Sequence, residues 1–218
     1  MRATESPGPD PLRQAIRMAL IAAVPRTRLL ASLPADDQTV ALTFDDGPHP
    51  EWTPRILDAL ARHGARATFF VIGARAAAHP DIVRRLAAEG HAIGHHSWSH
   101  SEPATTPARV LLDENRRTRK FLEDLLERPT PLFRPPHGEL TPLKLLGAWA
   151  QRNVVVLWNR DPKDYQMTAA AELEAAFVAR PLKAGDVVLL HDNRAHTAAA
   201  LPGVLTRCAL RCVALGAR

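Results

Sequence analysis

The chain has 218 residues, 46% of them hydrophobic, enough for one large buried core or two small ones. Its formal net charge is +5, but the basic residues are mostly arginines scattered along the chain, with no long basic run and no interleaved aromatics. That pattern speaks against a nucleic-acid-binding face. Cys208 and Cys212 stand four apart with no Cys-x-x-Cys pattern, which argues against a thiolate zinc site and reads as two apolar core thiols rather than a disulfide.

Residues 1–37 read as an N-terminal helical extension, and residues 38–216 as one domain. Within the extension, the apolar stretch from Met18 to Val24 lies between Arg17 and Arg26. It is too short to span a bilayer, and no small-residue cleavage site follows that would mark a secretory leader. Residues 12–30 are therefore expected to form an amphipathic helix on the domain or in peripheral contact with a membrane. The expected location is cytoplasmic or membrane-associated, with secretion left open.

From residue 38 onward, strand-like and helical stretches alternate. Residues 39–44 read as a strand. A helix is predicted to open at Thr53 as N-cap with Pro54 at its first position, and to close at Gly64. A strand over 67–72, a helix over 81–89 stopped by Gly90, a short strand over 91–94 and a long helix over 107–127 follow. Val110, Leu111, Phe121, Leu122 and Leu125 are the candidate core positions of that long helix. A strand begins at Leu132. Helices over 142–152, 168–180 and 198–208 then separate strands over 154–158, 186–190 and 209–215. Strict alternation predicts an α/β fold with a parallel sheet, closed as a barrel or doubly wound.

The chemically capable residues fall at the ends of the predicted strands: Asp45 and Asp46, His96 and His100, Arg134 and His137, Asp161 and Asp164, His191 and Asp192. In parallel α/β folds that edge is where active sites are assembled. Asp45 and Asp46 would point to opposite faces of a strand, but the Gly47-Pro48 breaker frees both to lean into one pocket. Two such close carboxylates call for a cation. His96 and His100, four apart, share a face if they lie on a helical turn. One carboxylate and two imidazoles make three protein ligands and leave a position open for water, as catalytic metal sites do. His95 is expected to point away from this group. The Pro135-Pro136 pair makes the His137 N–H a rigid donor suited to an oxyanion. His191, ending a buried strand, suits a general acid held by a carboxylate, with Asp164 preferred for that role and Asp192 as the local competitor.

Residues 43–48, 96–100, 134–138, 161–165 and 189–191 resemble, in order, the five motifs of the polysaccharide deacetylase family, the NodB-homology group of carbohydrate esterase family 4. The resemblance spans roughly residues 38–216. It implies a distorted (β/α)7 barrel with parallel strands and metal-dependent removal of N-acetyl or O-acetyl groups from a carbohydrate of N-acetylglucosamine type. It further implies Asp45 as general base, with Asp46, His96 and His100 as ligands of a divalent metal, zinc foremost, with cobalt or another divalent ion as substitutes. The His137 N–H would serve the oxyanion, His191 would be the acid held by Asp164, and Arg134 would orient Asp45. The family often has Trp at the place of Tyr165 and Tyr at the place of His137. The expected partner is an acetylated carbohydrate and not a nucleic acid. The alternatives are an amidase or imidase of the same barrel family acting on a small non-sugar amide, and a non-catalytic glycan-binding domain.

Overall fold

A computed structural model describes residues 24–216. The expected helix over 12–30 falls mainly outside the described residues. Its described end is not helical: Leu29–Leu30 form a strand, β1, because their backbone finds the free edge of a later strand. The other strands are β2 (Thr39–Asp45), β3 (Thr68–Val71), β4 (Ala92–His95), β5 (Leu132–Phe133), β6 (Val154–Val156), β7 (Val187–His191) and β8 (Arg211–Cys212). The helices are α1 (Trp52–Arg62), α2 (Gly73–Ala78), α3 (Pro80–Ala88), α4 (Ala108–Leu126), α5 (Pro142–Ala150), α6 (Ala170–Ala179) and α7 (Ala195–Arg207). Among the described residues no helix is long and apolar enough to cross a membrane.

The strand order is β1-β6-β5-β4-β3-β2-β7, every pairing is parallel, and β8 pairs with β2. The sheet curls until its two ends meet through a single parallel bridge between Arg160 and Val188 and a bond from the Leu33 N–H to the Gly185 carbonyl. The result is the distorted parallel barrel that the family resemblance implies, and not the doubly wound sheet that alternation alone also allowed. The predicted last strand shrinks to Arg211–Cys212. On that side of β2 only Thr39 and Val40 are open, because β3 pairs with Thr43 to Asp45.

Alternation along each strand separates two interiors. Val40, Leu42 and Phe44 of β2, Phe69 and Val71 of β3, and Val188 and Leu190 of β7 face the helices and form the main core with α1, α3, α6 and α7. Ala41, Phe70, Val156 and Val187 face the barrel lumen. By the same period Thr43, Asp45 and His191 also point inward, so apolar packing at the bottom of the lumen gives way to polar groups at its top. Leu111 and Leu122 of α4 are fully buried, and Phe121 and Leu125 pack against the core, whereas Val110 is only half-buried. Cys208 and Cys212 are free thiols, partly buried against this core.

Two local readings need correction. Thr53 does not cap α1. It lies inside the helix, and its hydroxyl is taken by the His49 N–H (2.8 Å) and by Asp192 (2.6 Å). The helix α2 lies between two predicted elements, and its run of alanines after Gly73 was its only helical signal.

Gly94 shows how tightly β4 sits. A Cβ there would lie 2.6 Å from the Phe70 ring and 2.7 Å from the Leu132 carbonyl oxygen. We predict that Gly94→Ala costs about 1–3 kcal/mol by overpacking, a fall in Tm of roughly 3–10 °C. An unchanged melting curve would show that the lumen can yield at this point.

Candidate metal and catalytic centre

The site sits at the C-terminal ends of β2, β4, β5 and β7. Asp45 is the last residue of β2, buried and directed into the lumen. Asp46 adopts a left-handed φ of 71°, a conformation that Asp tolerates better than most residues. This turn cancels the strand alternation and brings both carboxylates to one imidazole. His96 Nε2 lies 3.7 Å from Asp45 Oδ2 and 3.8 Å from Asp46 Oδ1. Gly47 follows, and a Cβ there would fall 2.0 Å from an Asp192 oxygen, so any larger residue would displace that buried carboxylate.

His96 and His100 do not lie on a helical turn. They bracket an irregular loop after β4, in which Ser97 and His100 have positive φ of 62° and 57°. The loop still brings the rings together, with centroids 4.8 Å apart, and His100 Nε2 lies 3.4 Å from Asp46 Oδ1. The His100 N–H donates to Ser97 Oγ at 2.9 Å, which closes the turn. His95, one residue earlier on β4, points away. It is fully buried, stacks on Phe133 and pairs with Asn153, and burial drives its pKa down to about 3.

Three observations fit this triangle to a cation. The ligand atoms of Asp46, His96 and His100 lie within 4.8 Å of one another. Asp46 Oδ1 is buried with no hydrogen-bond partner, a costly state that a cation would relieve. His96 Nδ1–H donates to the Arg134 carbonyl at 2.7 Å, which fixes the tautomer and turns the Nε2 lone pair to the triangle. Electrostatics agree. Burial and the neighbouring His96 hold His100 below its usual pKa, in the neutral ligating form. For Asp46, burial raises the pKa, but the nearby His96, His100, His191 and Arg75 outweigh it and bring it below its usual value, which favours the carboxylate. Two nitrogens and one oxygen suit zinc and its neighbours in the first transition row.

Arg134 crosses the lumen and is fully buried. It donates to Asp45 Oδ1 and Thr43 Oγ1 at 2.7 Å each, and to the Val156 and Leu157 carbonyls. Its guanidinium also lies over the Phe70 ring at 4.2 Å. The ladder places His191 beside Asp45, its register partner on β7. Asp164, not Asp192, holds His191. One Asp164 oxygen accepts from His191 Nδ1–H at 2.7 Å, and the other accepts from the His191 N–H and from Thr197 Oγ1, both at 2.8 Å. Burial alone would lower the His191 pKa, but Asp164, Asp45 and Asp46 raise it to about 9. Asp192 is instead buried against Gly47 and bonded to Thr53. Burial and the nearby Asp46 raise its pKa to about 7 despite the Thr53 bond.

His137 sits at the rim with φ 55°, its ring 5.0 Å from that of His100 and its Nε2 3.6 Å from Glu102. Gly138 follows at φ 69°, in contact with Trp158. Tyr165 is partly exposed and presents an edge-on ring 5.5 Å from His191. Asp161 accepts from the Lys163 N–H and stays outside the cluster. A cavity of about 310 Å³ opens beside the triangle, lined by Asp46, Ile72, Ala74, Arg75, Ser99 and His100. Arg75 bonds the Asp46 carbonyl at 2.5 Å. The sequence placed Thr43 within the first motif without a role, and Arg75, Glu114 and Thr197 were not singled out. Those three lie on ordinary helix positions, and only the fold brings them to the site.

The family model described as polysaccharide deacetylase matches residues 32–150. A Bacillus cereus peptidoglycan-N-acetylglucosamine deacetylase is 36% identical over 178 residues, 79% of this chain and 83% of that protein. A Rhizobium leguminosarum chitooligosaccharide deacetylase is 33% identical, over 73% of this chain and 74% of that protein. Some relatives are longer: the chain spans 58% of a second Bacillus cereus deacetylase and 44% of one from Listeria monocytogenes. A crystal structure of a peptidoglycan N-acetylglucosamine deacetylase in complex with 4-naphthalen-1-yl-N-oxidanyl-benzamide superposes with a TM-score of 0.81 at 33% identity, covering 86% of this chain and 90% of that one.

The His191–Asp164 pair also predicts a pH effect on the metal-free protein. A raised folded-state pKa stabilises fully below the unfolded value near 6.5 and is lost as pH climbs to about 9, a swing on the order of 3 kcal/mol. In chelator, Tm should fall over that window, and Asp164→Asn should flatten the fall. Parallel pH profiles for the two proteins would refute the pairing as its source.

Proposed function

The chain belongs to the polysaccharide deacetylase family, and on that premise we propose that it is a metal-dependent hydrolase that removes N-acetyl groups from N-acetylglucosamine units of a glycan. The observation that carries this reading is the donor triangle of Asp46, His96 and His100, set between an Asp45–Arg134 pair and a His191–Asp164 pair. The named relatives act on peptidoglycan and on chitooligosaccharides, which share that acetylated sugar.

Asp46, His96 and His100 would hold a divalent cation, zinc by the donor set. Such an ion supplies Lewis acidity toward the acetyl carbonyl and lowers the pKa of a water at the open position. Arg134 holds Asp45 Oδ1, which leaves Oδ2 facing the triangle to accept a proton from the attacking water. The His137 N–H, aimed by the two prolines before it, donates to the oxygen on which negative charge develops. His191 spends Nδ1–H on Asp164, so its Nε2–H is the proton available to the departing amine. With its pKa near 9, the imidazole is protonated at neutral pH, as an acid must be, while Asp45 beside it serves as base. Tyr165 walls the His191 side with a polar tip. A glycan-binding role without catalysis is disfavoured because neither the acid nor the base has lost its partner.

The test is acetate release from N-acetylglucosamine oligomers. The metal-loaded protein should release acetate and chelator should abolish it. Asp45→Asn should cut kcat by about 10²–10⁴-fold with zinc still bound. No release from any acetylated glycan would overturn the proposal. Separately, His100→Ala should lose stoichiometric zinc, and full retention would remove that residue from the ligand set.

A further inference from the structure

The loop that carries both imidazoles has no secondary structure of its own, yet its backbone is bonded from both sides. From α2, the Gly73 and Ala74 N–H groups donate to the Ser97 and Trp98 carbonyls, each at 3.0 Å. From α4, one side chain meets the opposite polarity. Glu114 Oε2 accepts from the Trp98 and Ser99 N–H groups at 3.2 Å each, and Oε1 accepts from Ser99 Oγ at 2.7 Å and Ser101 Oγ at 3.2 Å. The Ser99 and Ser101 hydroxyls also lie 2.6 Å apart, so their two hydrogens are shared among this contact and the two to Glu114 Oε1. All four Glu114 bonds go to residues 98–101, the segment that contains His100. The Trp98 ring completes the clamp, with the Arg117 guanidinium 3.5 Å above it and Phe121 edge-on at 6.2 Å. It presses so closely on Gly73 that a Cβ there would lie 2.5 Å away.

We propose that Glu114 is a positioning residue for metal binding, holding the His100 loop in the left-handed conformation that turns its imidazole toward Asp46 and His96. Glu114 is on a long helix anchored in the core by Leu111 and Leu122, so it ties a loop without regular secondary structure to that helix. Carboxylate bonds to N–H groups are charge-assisted and strong, and they favour one loop geometry over the many that a free loop samples. The proposal rests on the metal-site reading above, since positioning has meaning only if His100 binds a cation.

The experiment measures zinc affinity by competition with a chromophoric chelator, together with the visible spectrum of the cobalt-loaded protein and the Tm of the metal-free protein. Glu114→Ala should weaken zinc binding by about tenfold or more and alter the cobalt bands. Ser99→Ala, which removes the shortest of the four bonds, should give a smaller loss in the same direction. Glu114→Gln keeps an acceptor oxygen and should recover part of the affinity. If Glu114→Ala does not fold, the other two variants decide by the same readouts. Unchanged zinc affinity and cobalt spectrum in the variants, even with a lowered metal-free Tm, would reduce Glu114 to a structural role and overturn the proposal. Failure of the unaltered protein to bind one zinc would instead overturn the metal site itself, and this inference with it.

Discussion

A buried arginine in the barrel lumen organises everything above it. Placing a guanidinium where no water reaches carries a penalty of several kcal/mol unless its charge and its N–H groups are answered. Four of the five Arg134 N–H bonds have partners here: one carboxylate, one hydroxyl and the Val156 and Leu157 carbonyls, drawn from β2 and from the chain at and just after β6. Asp45 is therefore held as a counter-ion before it acts as anything else. The Arg134 carbonyl takes the Nδ1–H of His96 and so decides which imidazole nitrogen faces the metal triangle. One side chain and its own backbone thus orient both the proposed base and a proposed ligand.

The two carboxylates of the Asp45-Asp46 pair end up in distinct surroundings. Asp45 remains in the lumen with Arg134 and beside His191, while Asp46 turns through a left-handed φ to meet His96 and His100. On the far side, the first turn of α7 brings Thr197 to Asp164, which makes the partner of His191 a carboxylate already bonded from three directions. The geometry of the proposed centre is set mainly by the groups packed behind it, Arg134, Asp164 and Thr197 among them.

How much of this was legible in the sequence depends on the range of the interaction involved. The barrel strands could be read because alternation and breakers are local, and the site residues could be read because they cluster at strand ends in a recognisable order. His95 pointing away follows from strand alternation alone. The helical turn assumed for His96 and His100 was wrong because spacing of four is also satisfied by a loop with two left-handed residues, and nothing local distinguishes them. Thr53 looked like an N-cap because its local signal is that of one. Its hydroxyl goes instead to Asp192, 139 residues away, a partner that appears only once β2 and β7 are neighbours. Glu114, Arg75 and Thr197 were invisible for the same reason: each sits in an unremarkable helical context and acts on a segment distant in sequence.

The triangle draws its atoms from two separate segments, Asp46 after β2 and the histidines after β4, and no hydrogen bond of Asp46 Oδ1 joins them. An ion seated there is thus a cross-link as well as a reagent. By mass action, each tenfold rise in free ion above its dissociation constant adds about 1.4 kcal/mol to the folded state. Metal supply would then set the stability of the folded chain as well as the state of the proposed site.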